Sequence, residues 1–122
     1  MIKNIIVVDD DEQIRIMLRR ILEKEGYIIR EASNGNIALK LQREDPADLI
    51  ITDIIMPEKE GIGTIVDLKN DYPGIKIIAI SGGGKNSPDH YLRMAKGFGV
   101  NKAFEKPFTR EELLEAIDEI SK

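Results

Sequence analysis

Residues 5–12 read Ile5-Ile6-Val7-Val8-Asp9-Asp10-Asp11-Glu12, four β-branched apolar residues that end abruptly in four acids. A run this short and this rich in branched side chains predicts a strand covered on both faces. The same form recurs along the chain. Leu49-Ile50-Ile51 leads to Asp53, Ile75-Lys76-Ile77-Ile78-Ala79-Ile80 leads to Ser81, and Ala103-Phe104 leads to Lys106. If these strands lie parallel in one sheet, Asp10, Asp53, Ser81 and Lys106 gather at its carboxyl edge. Open α/β sheets bind ligands at that edge, because strand ends and helix starts meet there. Carboxylates, a hydroxyl and an ammonium together suit a hard cation and a phosphoryl group.

Helices fill the spaces between these runs. Ile14, Met17, Leu18, Ile21 and Leu22 recur at helical spacing and predict one inward stripe. Gly26 closes that helix in the left-handed conformation that glycine adopts cheaply. Tyr27 to Ala32 reads as a second strand and Asn36 to Glu44 as a second helix, stopped by Asp45-Pro46. The third strand is expected from Asp48 to Asp53. A third helix carries Ile62, Ile65, Val66 and Leu68 and breaks at Tyr72-Pro73-Gly74. Beyond Ser81, Gly82-Gly83-Gly84-Lys85-Asn86 predicts a loop, and Ser87-Pro88 a helix start. Tyr91, Leu92, Ala95 and Phe98 would face inward from that helix. A short fifth strand is expected over Lys102 to Phe104. Thr109-Arg110-Glu111-Glu112 has the form of a capping box, opening a last helix that buries Leu113, Leu114, Ile117 and Ile120. Five strands alternating with five helices predict a doubly wound α/β sheet.

Composition narrows the function classes. A chain of 122 residues makes one domain over 1–122. Folding at this size hides roughly two thirds of the unfolded surface, enough for an unaided core. There is no cysteine, which excludes disulfides, thiolate metal sites and cysteine nucleophiles. The net charge of −4 argues against direct nucleic-acid binding, which rewards a basic face. No apolar run approaches the ~20 residues that span a bilayer. Met1-Ile2-Lys3-Asn4 runs straight into a strand without a signal-peptide core, so a soluble cytoplasmic protein is expected.

The acids divide into two groups. Asp11 and Glu12 read as the cap and first turn of a helix, complementing its positive end. Asp9 and Asp10 still belong to the strand end, near Asp53. Two like charges ~4 Å apart repel by roughly 4 kcal/mol at an effective dielectric near 20. Such crowding calls for a cation or a positive side chain, and magnesium, held by one or two carboxylates plus waters, suits it. Lysine is a strongly hydrated point charge that binds phosphate well, which fits Lys106 at the end of the fifth strand.

Taken together, Val7-Val8-Asp9-Asp10-Asp11, Asp53-Ile54-Ile55-Met56-Pro57, Ile80-Ser81-Gly82 and Lys106-Pro107-Phe108-Thr109 form one ordered pattern. The pattern resembles the receiver domain of bacterial two-component response regulators over essentially the full chain. The resemblance implies a flavodoxin-like five-stranded parallel sheet of order 2-1-3-4-5. It implies that Asp53 accepts a phosphoryl group from a sensor histidine kinase or a histidine phosphotransfer protein. Asp10, Asp53 and the backbone carbonyl of Ile55 would hold Mg²⁺, with Asp9 assisting through water. Ser81 and Lys106 would contact the phosphoryl oxygens, and the Lys106–Pro107 peptide would be cis.

Departures from the family pattern lie beside the site. Ser81 stands where threonine is frequent and keeps the hydroxyl. Gly82 to Pro88 makes a longer loop than many receivers carry. Ala103 stands where a tyrosine or phenylalanine usually reports phosphorylation, so Gly82, Gly83 and Gly84 are the expected switch region together with Ala103. Two other classes compete. A haloacid dehalogenase-type phosphatase needs an acid two residues after its nucleophile, and Ile55 occupies that place. A phosphorylation-independent receiver-like adaptor would tolerate loss of site residues, yet all of them are present. The glycines before Lys85 do not make a nucleotide loop, because Ala79 replaces its first glycine and Asn86 its serine or threonine. The chain stops one helix after Lys106, so contacts with a downstream protein are the expected output. A single-domain regulator and a receiver cut from a longer protein fit equally.

Overall fold

A computed structural model describes residues 1–54, 61–81, 93 and 96–121. In chain order the elements are β1 (Asn4–Val8), α1 (Glu12–Lys24), β2 (Ile28–Ala32), α2 (Gly35–Glu44) and β3 (Leu49–Asp53). They continue as α3 (Gly61–Asp71), β4 (Lys76–Ser81), β5 (Lys102–Glu105) and α4 (Arg110–Ser121). All strand pairs are parallel, in the order β2-β1-β3-β4-β5. This is the doubly wound sheet expected from the alternating runs.

Strand alternation divides the core into two layers. Ile6, Val8, Ile50, Ile77 and Ala79 face one side, where Ala38 of α2 and Ile65 and Leu68 of α3 cover them. Ile5, Val7, Leu49, Ile51, Ile78 and Ile80 face the other, against Leu18 and Leu22 of α1 and Leu113 and Ile117 of α4. Every residue of β3 is buried, as a central parallel strand requires.

Polar side chains set the element ends. Asp11 accepts from the Gln13 N–H at 2.9 Å and caps α1, as its reading as a helix residue required. Gly26 follows α1 with φ +95°. Asn34 caps α2 through the Ile37 N–H. The far end of α2 is held by Arg30, whose guanidinium donates to Leu41 O and Asp45 O at 3.2 and 2.6 Å. Thr109 and Glu112 form the reciprocal capping box of α4, at 3.0 and 3.1 Å.

Several boundaries and faces differ from expectation. Four helices are described where five were expected. The helix from Ser87 lies largely outside the described residues, with Arg93, Lys96 and Gly97 helical. Asp48 precedes β3 instead of starting it, because its carboxylate is occupied by the N–H groups of Lys3 and Asn4 at 2.9 and 3.0 Å. Met17 is 41% exposed and Phe98 43% exposed, so neither belongs to an inward stripe. Leu18 and Leu22 fill the slot that α1 covers, with Ile14 packed partly buried beside them; Met17 falls on the solvent edge of the same apolar arc.

Candidate functional site

Parallel register brings the predicted residues to one edge. Val8 stands opposite Thr52, which places Asp9 level with Asp53 one step further along. Asp53 pairs with Ile80, and Ser81 pairs with Glu105, directly before Lys106. Ladder-like bonds continue past the strand ends: Asp9 N–H to Ala32 O at 3.1 Å, Ile54 N–H to Ile80 O at 3.0 Å, and Lys106 N–H to Ser81 O at 2.7 Å. The backbone that carries the site is therefore as fixed as the sheet itself.

The Lys106 ammonium sits between two acids, 3.3 Å from Asp9 Oδ2 and 3.2 Å from Asp53 Oδ2. Asp9 and Asp53 are buried, at 2% and 7% exposure, whereas Asp10 is exposed. Burial pushes the Asp9 carboxyl from 3.8 up to about 6. The neighbouring Asp53 charge adds to that rise, while the Asp11 N–H and Lys106 oppose it. Burial works against the Lys106 ammonium as well, yet the charges of Asp53 and Asp9 outweigh it and raise its pKa. The Lys106–Pro107 peptide is cis, and Phe104 and Phe108 stack across this turn with centroids 5.7 Å apart.

Carboxylate oxygens of Asp9, Asp10 and Asp53 lie within 4.8 Å of one another. An all-oxygen donor set of this kind fits a hard divalent cation. Asp9 has both oxygens engaged, Oδ1 by the Asp11 N–H at 2.9 Å and Oδ2 by Lys106. Ser81 Oγ is fully buried and, among the described residues, has no hydrogen-bond partner. A buried orphan hydroxyl costs stability unless a ligand satisfies it. A concavity of about 410 Å³ lined by Ile2, Ala47, Tyr72, Pro73 and Ile75 lies at the opposite, amino edge and takes no part in this chemistry.

The structure thus brings together Asp9, Asp10, Asp53 and Lys106, with Ser81 on the neighbouring strand end. Ile55, Gly82, Gly83 and Gly84 lie outside the described residues. Ala103 is half-buried against the α2–α3 layer and Phe104 against the α1–α4 layer. Sequence reading missed Arg15, whose guanidinium donates to the Asp9 carbonyl at 2.7 Å, and Glu31, which holds Arg15. The available signal was Glu31 itself, a charge inside a strand between Ile29 and Ala32.

Comparison with known proteins agrees with this fold. Residues 5–118 match the model of the response regulator receiver domain. The chain is 33% identical over 120 residues to the chemotaxis protein CheY of Halobacterium salinarum, covering 98% of each. It is 36% identical over 121 residues to the chemotaxis protein CheY of Bacillus subtilis, covering 97% of each. Its fold is similar to that of a response regulator receiver domain protein from Clostridium thermocellum. There the TM-score is 0.88 at 27% identity, over 96% of this chain and 92% of that one.

Proposed function

Because the chain belongs to the response regulator receiver domain family of two-component systems, we propose that Asp53 is its phosphoacceptor. The donor is a phosphohistidine on a sensor histidine kinase or a histidine phosphotransfer protein. An Asp53 oxygen bonds to phosphorus while the bond from phosphorus to the imidazole nitrogen breaks. The electron pair stays on the ring, which takes its proton from water, and the carboxylate becomes an aspartyl phosphate. What supports this reading is the meeting of three carboxylates and one ammonium at the carboxyl edge of the sheet.

Phosphoryl transfer asks a protein mainly for positioning and charge neutralisation. Asp10, Asp53 and the Ile55 carbonyl would hold Mg²⁺, which supplies charge neutralisation when bound. Asp9, with both oxygens already engaged, assists through water. Lys106 passes from the acids to the phosphoryl oxygens, and the orphan Ser81 hydroxyl donates to one of them. Ile55 offers no acid two residues after Asp53, so the aspartyl phosphate persists as a signal instead of turning over as in a phosphatase.

The domain, 1–122, works in the cytoplasm by changing its contacts with a downstream protein, without direct nucleic-acid contact. Among the described residues no helix is long and apolar enough to cross a membrane. The switch region is Gly82, Gly83 and Gly84 with Ala103. The test is intact mass after incubation with acetyl phosphate and Mg²⁺. The parent gains one phosphoryl group, Asp53→Asn gains none, and Asp11→Asn, altered only at the α1 cap, keeps the gain. Full labelling of Asp53→Asn overturns the assignment.

A further inference from the structure

Asp9 is held at each of its polar atoms. Its N–H donates to Ala32 O at 3.1 Å, Oδ1 accepts from Asp11 N–H at 2.9 Å, and Oδ2 lies 3.3 Å from Lys106 Nζ. Its carbonyl oxygen accepts from Arg15 Nη1 at 2.7 Å, the shortest of the four. Arg15 is fixed in turn, because its Nε donates to Glu31 Oε1 at 3.1 Å. Glu31 Oε2 accepts from Arg19 Nη1 at 2.9 Å. The side chains of Arg15 and Glu31 are 15% and 22% exposed, sheltered from the screening that weakens surface pairs. Hydrogen bonds from Arg19 and Arg15 hold the Glu31 carboxyl below the usual range, so the network stays charged.

The Asp9 carbonyl belongs to the peptide that joins Asp9 to Asp10. A peptide is planar, so holding its oxygen orients the whole unit from which Asp10 departs. Asp10 carries an exposed carboxylate that, among the described residues, makes no hydrogen bond of its own. The reach of that carboxylate therefore depends on where the backbone places its Cα–Cβ bond, and Arg15 holds the peptide that leads into it. Resting on the reading of the acidic cluster as a cation site, the geometry points to Arg15, braced by Glu31, as a positioning residue that aims Asp10 at a divalent cation. Partners of this outer kind typically change metal affinity by roughly 10–100-fold when removed.

Charge and positioning act with opposite signs here, which makes the inference testable. Arg15→Gln takes a positive charge away from an acidic cluster, and charge alone would tighten Mg²⁺ binding. Loss of aim loosens it. Arg19→Gln removes the same charge from the same network without touching Asp9, and supplies the charge baseline. Calorimetric titration of Mg²⁺ into the full chain should give about 10-fold weaker binding for Arg15→Gln and no weakening for Arg19→Gln. Arg15→Lys should fall between, because one ammonium lacks the fork that serves Asp9 and Glu31 together. Glu31→Gln, which leaves Arg15 in place but less braced, should weaken binding about threefold, a fraction of the outer-partner range. It carries the test if Arg15→Gln does not fold.

Urea midpoints in EDTA separate folding loss from metal loss, since a merely structural role moves the midpoint and spares the affinity of the folded protein. Arg15→Gln, or Glu31→Gln in its place, binding Mg²⁺ as tightly as the parent overturns the inference. Acetyl phosphate labelling of the parent runs beside it. A parent that binds Mg²⁺ yet takes no phosphoryl group overturns the phosphoacceptor reading and leaves the Arg15 result standing.

Discussion

The carboxylates of Asp9 and Asp53, carried by adjacent parallel strands, share one ammonium: Lys106 Nζ lies 3.3 Å from the first and 3.2 Å from the second. Both acids are buried, while Asp10 beside them is exposed. One lysine neutralises one of two buried charges, and the remainder falls on Asp9, whose carboxyl burial pushes up to about 6. Without a cation, the second buried charge costs stability.

Asp9→Asn should therefore stabilise the metal-free protein at neutral pH. A carboxyl moved from 3.8 to about 6 by folding holds its proton more tightly in the native state. Its favourable contribution is complete below pH 3.8, falls as pH rises towards 6, and is gone above that. The shift, already net of the attraction to Lys106, corresponds to on the order of 3 kcal/mol. Because an amide keeps only one of the two carboxylate acceptors, a gain of about 1–2 kcal/mol is expected at pH 7.5. Urea unfolding of both proteins in EDTA at pH 4, 5, 6 and 7.5 measures the difference. Comparing the pair cancels Glu31 and Asp48, whose lowered carboxyls bias stability the opposite way. A difference that is flat across this range would count against the buried charge on Asp9.

Asp10 should behave otherwise. Its carboxylate is exposed, so Asp10→Asn should change metal-free stability by no more than ~0.5 kcal/mol. Mg²⁺ at ten times its dissociation constant should stabilise the parent by about 1.4 kcal/mol through linkage. The variant should gain a small fraction of that. Equal Mg²⁺-dependent shifts in denaturant midpoint would place the ion elsewhere.

Ser81 offers a stability–function trade. Its hydroxyl is fully buried and, among the described residues, unpartnered. Ser81→Ala should leave the unphosphorylated protein as stable or up to ~1 kcal/mol more stable. The same change should slow labelling by acetyl phosphate, because it removes the proposed donor to the phosphoryl group. A variant that is both less stable and labelled at the parent rate would contradict both roles assigned to the hydroxyl.

The strands and their order of polar endings were legible because a buried parallel strand leaves few alternatives: Ile5 to Val8 and Leu49 to Ile51 have no polar face. Asp53 and Lys106 were legible as charged groups two residues past such runs, just beyond Thr52 and Glu105. The division of labour between Asp9 and Asp10 was not. Both follow Val8, and only the level reached by the neighbouring strands decides which is covered. Met17 misled because helical spacing marks an apolar arc, not how much of it a neighbour covers. Arg15 was hidden since its partner Glu31 is 16 residues away, across a strand crossing that no local pattern encodes.

The last expectation concerns output. Ala103 sits half-buried against the α2–α3 layer, while Phe104 packs in the other layer and stacks on Phe108 at 5.7 Å. The only ring within the β5 span therefore lies on the wrong face to report on Ser81, and alanine has no rotamer to turn. The proposed route is the segment joined to Ser81, whose sequence Gly82-Gly83-Gly84 is of the residue type that accepts backbone change at least cost. Hydrogen exchange with and without beryllofluoride, a phosphoryl mimic, should show protection rising over residues 82–88. Exchange in Lys102–Glu105 should change little. Replacing Gly83 and Gly84 by alanine should blunt the rise and leave labelling by acetyl phosphate intact, since neither residue supplies a site group. Protection that rises in β5 and not over residues 82–88 would show that the signal takes the strand after all.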